Sequence, residues 1–379
     1  GRFSGHYFGE EMLVDHVRSY GNMLSVQRQS DYPGMDILAC WPEGYFPQDA
    51  KYVQMAARKC GSNGFMAEVC PFDNPEEFGK APFDNLLATM GLNYISGVRT
   101  TQSYAEADFS AFGDGRFRDF LPRNQDMFGQ VRKYFDRAQM RQLNAYVGRM
   151  GLLLDGLQNQ CTTVLYFGIE DVQAKYTPKH DCEVGAQAIG CDLATLRLLR
   201  AMLDEGRDFL FADAEDLTGI ARTGRLGGEE IRRILLPGLD VIRPEALAAL
   251  RQLKKAGVCV LFAEKLPHID ALSGQQLQLA GEFEAVSVQE AVQIPDAQEP
   301  QFKTLSGPIV RQARYRTRDS KSMFFLLNPG RTESVVRLPG ADARRCTVLD
   351  PFTGTITQER LNRDWTVPAV RGIFIIIEE

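Results

Sequence analysis

Three observations predict an α/β protein that ends in an all-β segment. Over residues 1–156, short apolar runs alternate with helix-like stretches. Over residues 161–290 the alternation repeats with cleaner boundaries. From about residue 301 onward, strand patterns replace helices, with turn signals between them at Asn328-Pro329-Gly330, Pro339-Gly340 and Thr353-Gly354. Strand–helix alternation favours parallel strands joined by helical crossovers, and closely spaced turn signals favour an antiparallel sheet.

In the first region, residues 36–39 form a short apolar strand candidate. A helix is expected over 47–60, with Gly61 as its stop. Residues 64–69 read as the next strand and 83–90 as a helix stopped by Gly91. Residues 92–98 read as a third strand. A polar, aromatic-rich loop is expected over 99–123, followed by a long helix over about 130–154. Loops of that length often line binding sites. Tyr104, Phe109, Phe112, Phe117 and Phe120 would suit sugar faces, whose C–H groups stack on rings; the alternative is a loop packed on its own aromatics.

In the second region, strands are expected at 161–167, 208–212, 234–238, 258–262 and 283–288. Asp192 is expected to cap a helix with Leu193, Leu196, Leu199 and Leu203 on one face, ending at Gly206. Pro244 opens another helix and Gly257 closes it. This order reads as a doubly wound, flavodoxin-like sheet. A linker over 294–300 leads to strands at 309–316, 322–327, 334–338, 346–349 and 372–377, a small antiparallel β-domain.

The chain has 379 residues, enough for two or three domains. Its net charge of −6 gives no support to a nucleic-acid partner, and no apolar run approaches membrane-spanning length. The eight cysteines are scattered, with no C-x-x-C pair, and several lie in apolar runs. That pattern reads as small buried side chains in a reducing compartment, so a cytoplasmic location is expected. No signal peptide precedes Gly1, and the opening residues read as the middle of something, so an upstream portion is expected. A G-x-G-x-x-G loop is absent and no cofactor is expected.

Three places carry candidate chemistry. Glu68 stands near the C-terminal end of a strand, where (β/α) barrels gather their catalytic groups. Glycoside hydrolysis needs two carboxylates so placed. The alternative is a structural glutamate paired with Arg58. His6 and Glu10 are four apart and would share a helix face, to grip sugar hydroxyls or to solvate a helix start. No third metal ligand is apparent, since His16 falls off that face, and no metal is expected. Asp31 and Asp36 flank the Pro33-Gly34 turn signal and would bind hydroxyls or hold the turn. In the flavodoxin-like region a glutaminase-type site would need a reactive Cys259, which lies inside a strand with no helix start after it.

The order of these motifs resembles bacterial glycoside hydrolases of the α-L-rhamnosidase-like group. The resemblance runs through Gly5-His6, Glu10-Glu11, Tyr20-Gly21-Asn22 and residues 31–38. It continues through Glu68, Gly91-Leu92-Asn93, the run Leu143-Asn144-Ala145-Tyr146-Val147-Gly148-Arg149, Leu235-Leu236-Pro237-Gly238 and residues 348–354. Residues 163–166 open a region similar to the β-galactosidase trimerisation domain. The resemblance implies the C-terminal part of a (β/α)8-type barrel over 1–158. A flavodoxin-like doubly wound domain over 159–295 and a small antiparallel β-sandwich over 300–379 would follow.

It further implies a glycosidase acting on an oligosaccharide or glycoside, without cofactor, and a possible homo-oligomer. Glu68 and Glu10 would be catalytic. His6, Asp31, Asp36, Asn93, Arg99 and Tyr104 would bind the sugar. Many relatives carry a histidine at the place that falls here on Gly97 or Val98, a departure that would change substrate choice or abolish activity. The alternative is a non-catalytic carbohydrate-binding or assembly protein derived from a glycosidase.

Overall fold

The protein was analysed as a computed structural model that describes residues 3–7, 11–37, 39–69, 75–103, 136–157, 159–177, 186–293 and 300–378. Four strands, β1 (Ser4–Gly5), β2 (Tyr32–Ile37), β3 (Phe65–Val69) and β4 (Val98–Ser103), lie side by side in chain order, all parallel. Successive side chains of a strand point to opposite faces. Met35, Ile37, Phe65, Ala67 and Val69 therefore share one face and are buried beneath the helices Pro47–Lys59 and Pro82–Ile95. Gly34, Asp36, Met66 and Glu68 belong to the other face. Among the described residues this sheet is open, ending at β1 and β4, and does not close into the expected barrel.

Two boundaries differ from expectation, and both move candidate residues. The second strand is Tyr32–Ile37, not 36–39. Pro33-Gly34, a turn signal in isolation, lies inside the strand next to β1, so Asp36 stands at the C-terminal end of β2 instead of at its start. The helix Pro82–Ile95 runs straight through Gly91, and the expected strand over 92–98 is replaced by β4 at Val98–Ser103. Gly91 acts there as a packing residue: a Cβ would come within 2.5 Å of Cδ1 of Leu327. The helix Arg137–Leu154 starts at a capping box between Asp136 and Gln139.

A second sheet is also wholly parallel. Its strands lie in the order Leu210–Ala212, Thr163–Tyr166, Arg233–Leu236, Cys259–Ala263 and Ala285–Val286. Ranked along the chain this is 2-1-3-4-5, the flavodoxin-like order. The helix expected to begin at Asp192 runs over Ala186–Asp204, so Asp192 is mid-helix. Its carboxylate caps a different helix, accepting the N–H groups of Leu13 and Val14 at 2.7 and 2.8 Å at the start of Leu13–Tyr20.

Two antiparallel sheets follow. The larger has the order Arg311–Arg316, Ser322–Asn328, Arg371–Ile377, Arg345–Asp350 and Thr355–Arg360. The smaller joins Lys303–Ser306, Ser334–Arg337 and Trp365–Val367. Alternation along Ser322–Asn328 divides the packing. Phe324 and Leu326 face the smaller sheet, whereas Met323, Phe325 and Leu327 join the core beneath Pro82–Ile95. Two motifs noted in the sequence meet here: Arg149 donates to the carbonyls of Pro351 and Phe352, both at 3.0 Å.

Candidate active site

Parallel register places Asp36 directly opposite Glu68, and Glu68 opposite Gln102, on β2, β3 and β4. Adjacent strands are roughly 4.8 Å apart, so the three side chains form one row at the C-terminal ends of the strands. The row lies on the face turned away from the helices. His6 follows β1 and brings Nε2 to 2.9 Å from Oε2 of Glu68. Its other ring nitrogen is 3.4 Å from the carbonyl of Tyr7. The side chains of His6 and Glu68 are 29% and 18% exposed, screened yet reachable.

Burial raises the Asp36 carboxyl above its ordinary range. His6 opposes the shift, and Glu68 and then Glu11 add to it. Glu11 is thus a further member of the cluster, and its carbonyl is held by Nε2 of Gln48 at 3.2 Å. From the sequence, Glu11 stands only within the Glu10-Glu11 run with no role of its own, and Gln102 is not singled out. Gln102 becomes legible once β4 is correctly placed, because it is two residues beyond Thr100 on the same face. The place compared with a relative's histidine, Gly97 or Val98, lies at the far end of β4, so that departure does not bear on the row.

Other expected sugar-binding residues stand elsewhere. Asp31 precedes β2 at the opposite end of the sheet and accepts the N–H of Phe3 at 2.7 Å, which makes it a pin for β1. Asn93 is buried in the helix Pro82–Ile95 and accepts the hydroxyl of Tyr45 at 2.9 Å. Arg99 donates to the carbonyls of Val98, Tyr94 and Leu157 at 2.8, 3.1 and 3.2 Å, tying strand, helix and loop. Glu10 and Tyr104, with the aromatics between Tyr104 and Arg123, lie outside the described residues. Arg58, the alternative partner for Glu68, instead meets Asp216 at 3.2 Å.

His16 is buried against Tyr52, with ring centroids 5.4 Å apart. Among the described residues no group of three His, Cys, Asp or Glu could hold a metal ion, and no helix is long and apolar enough to cross a membrane. Among the described residues, Cys60, Cys259 and Cys346 carry free thiols. Burial pushes the Cys259 thiol up, which disfavours the thiolate a glutaminase-type site needs.

No protein-family model matches the chain, and no curated protein does. Solved structures do. The β-galactosidase from Bacillus circulans sp. alkalophilus matches with a TM-score of 0.59 at 10% identity, over 94% of this chain and 61% of that one. The GH42 exo-carrageenase from Bacteroides ovatus matches with a TM-score of 0.58 at 13% identity, over 94% and 49%. The α-L-fucosidase isoenzyme 2 from Paenibacillus thiaminolyticus gives 0.53 at 12%, over 93% and 66%. The chain thus spans between 49% and 66% of the length of these structures. At such identities the likeness is one of fold: the chain is folded like part of these glycosidases.

Proposed function

We propose that this chain carries part of the active site of a glycoside hydrolase, with Glu68 as one catalytic carboxylate. The observation that carries the reading is the row of Asp36, Glu68 and Gln102 with His6 on Glu68. His6, with Nε2 at 2.9 Å from Oε2, aims the carboxyl of Glu68, as a nucleophile or base requires. Asp36 holds its proton more firmly than an ordinary carboxyl, which suits a donor to a sugar hydroxyl or to the leaving oxygen. Carboxyls on directly paired residues of adjacent strands, whose backbones are roughly 4.8 Å apart, suit the closer of the two arrangements used in glycoside hydrolysis, the one that proceeds with retention. In that scheme Glu68 attacks the anomeric carbon as the glycosidic bond breaks, and the leaving oxygen takes the proton of Asp36. Water then returns a proton to Asp36 and displaces Glu68 from the sugar. Glu10 belongs to the proposal as a further carboxylate.

The barrel is proposed with the activity. β1–β4 present helices on one side and carboxylates on the other, as half of such a barrel would, and further parallel strands would close it. A homo-oligomer is part of the same reading. The sugar is its finest part: the sequence resemblance points to α-L-rhamnosides, while the structural neighbours are named for β-galactosides, carrageenan and α-L-fucosides.

The test is a hydrolysis screen with aryl α-L-rhamnoside, β-galactoside and α-L-fucoside, using both this chain and its longest natural form. Turnover that disappears in Glu68→Gln supports the reading and names the sugar. Turnover undiminished in Glu68→Gln would sink it.

A further inference from the structure

A cavity of about 270 Å³ lies on the helical side of the β1–β4 sheet, away from the face that carries Glu68. Its lining includes the apolar side chains of Leu92, Ile95 and Leu203 and the ring of Tyr45. Its charged walls come from Arg200 and Arg207, around the end of the helix Ala186–Asp204, and from Arg311 on the larger antiparallel sheet. Guanidinium groups from two separately built parts of the fold therefore line one cavity, together with Glu43, Asp204 and Asp208.

Several charges nearby already have partners. Nζ of Lys51 lies 2.5 Å from Asp208 and 3.1 Å from the carbonyl of Phe209. Glu43 is held by two nitrogens of Arg331, at 3.1 and 3.2 Å. Arg311 differs. Its Nη1 is buried and makes no hydrogen bond among the described residues. Its Nη2 is 3.8 Å from Asp204, beyond hydrogen-bond reach. Asp204 is 74% exposed, whereas Arg311 is 24% exposed, so the carboxylate sits in water while the guanidinium does not. Burial lowers the Arg311 pKa, and Asp204 only partly offsets it. A buried guanidinium stays charged, so an unmet N–H there is costly. The positive potential extends beyond the cavity: Lys303 is held below its ordinary range by burial and then by the charge of Arg207.

We propose that this cavity is a binding site for a small organic oxyanion, a carboxylate or phosphate monoester. Arg311, which lines the cavity, supplies positive charge to it. Arg200 and Arg207 supply further positive charge. The apolar side chains take the body of the ligand. Arginine matches such groups in planar, two-pronged geometry, which a lysine does not reproduce. The site is separate from the row around Glu68, so the proposal does not depend on glycosidase activity.

The test is calorimetric titration of the full chain with inorganic phosphate and, separately, with glucuronate, at constant ionic strength. One saturable site per chain is expected for at least one probe, with affinity reduced roughly tenfold or more in Arg311→Gln. Preference for phosphate would identify a phosphate monoester as the ligand class, and preference for glucuronate a sugar acid. Arg200→Gln should weaken binding too, and it serves as the test if Arg311→Gln does not fold. No saturable binding of either probe, or undiminished binding in the variant that folds, overturns the proposal.

Discussion

Nε2 of His6 lies 2.9 Å from Oε2 of Glu68, and the contact spans β2, because His6 follows β1 and Glu68 belongs to β3. A pair that reaches across an intervening strand is set by the twist and register of the whole sheet. If Glu68 is catalytic, His6 acts by positioning it. His6→Ala is expected to lower kcat by about 10²-fold with KM little changed. Steady-state kinetics checks this; an unchanged kcat would reduce His6 to a packing residue.

Asp36 should show opposite effects on function and stability. Its folded-state pKa is raised, so its contribution to stability is complete below the ordinary value of 3.8 and is lost as pH rises through the raised one. At neutral pH, Asp36→Asn should therefore leave Tm unchanged or higher while turnover falls. Thermal denaturation beside a kinetic assay decides it. A clear drop in Tm at neutral pH would show that the charged carboxylate stabilises the fold.

Asp192 makes a prediction about stability alone. Its carboxylate receives the two N–H groups that begin the helix Leu13–Tyr20. Asp192→Ala should cost about 1–3 kcal/mol, measured by urea unfolding. Burial pushes its pKa up to about 6 from an ordinary 3.8. The associated stability is thus complete below about 3.8 and lost as pH rises through about 6. Asp192→Asn should flatten the Tm profile across that window; a profile as steep as the parent's would assign the pH dependence to other groups.

Arg149 joins the helix Arg137–Leu154 to the turn after Arg345–Asp350 through the carbonyls of Pro351 and Phe352. Arg149→Met keeps much of the apolar stem and removes both donors. It should destabilise the chain by about 1–3 kcal/mol, again by urea unfolding, and leave any turnover intact. A loss of turnover without a loss of stability would place Arg149 at the substrate.

The sequence revealed more about elements than about their ends, and the site depends on ends. Glu68 was legible because an apolar run and a nearby proline put a carboxylate at a strand terminus. Asp36 was named, but as the first residue of a strand, because Pro33-Gly34 looks like a turn until a parallel neighbour lies beside it. Asn93 and Arg99 were misplaced for one reason: Gly91 reads as a helix stop locally, while in the fold it makes room for Leu327, more than two hundred residues away. Asp192 was read as the cap of the helix that follows it, but it lies inside that helix and caps another some 180 positions earlier. Long-range partners leave no trace in local propensity, and each of these differences has one.

The helix Pro47–Lys59 gives Ala50, Val53 and Ala57 to the core beneath β1–β4, and Tyr52, Met55 and Ala56 to the core shared with the flavodoxin-like sheet. It is a party wall between two rooms. Neither room can be lifted out with its plaster intact, since cutting on either side of the helix exposes apolar surface that the other side had covered. The parts of this chain are therefore not interchangeable cassettes. A truncation at the sheet boundary should lower solubility for both pieces, and grafting the first sheet onto a foreign partner would require re-surfacing Tyr52, Met55 and Ala56 first.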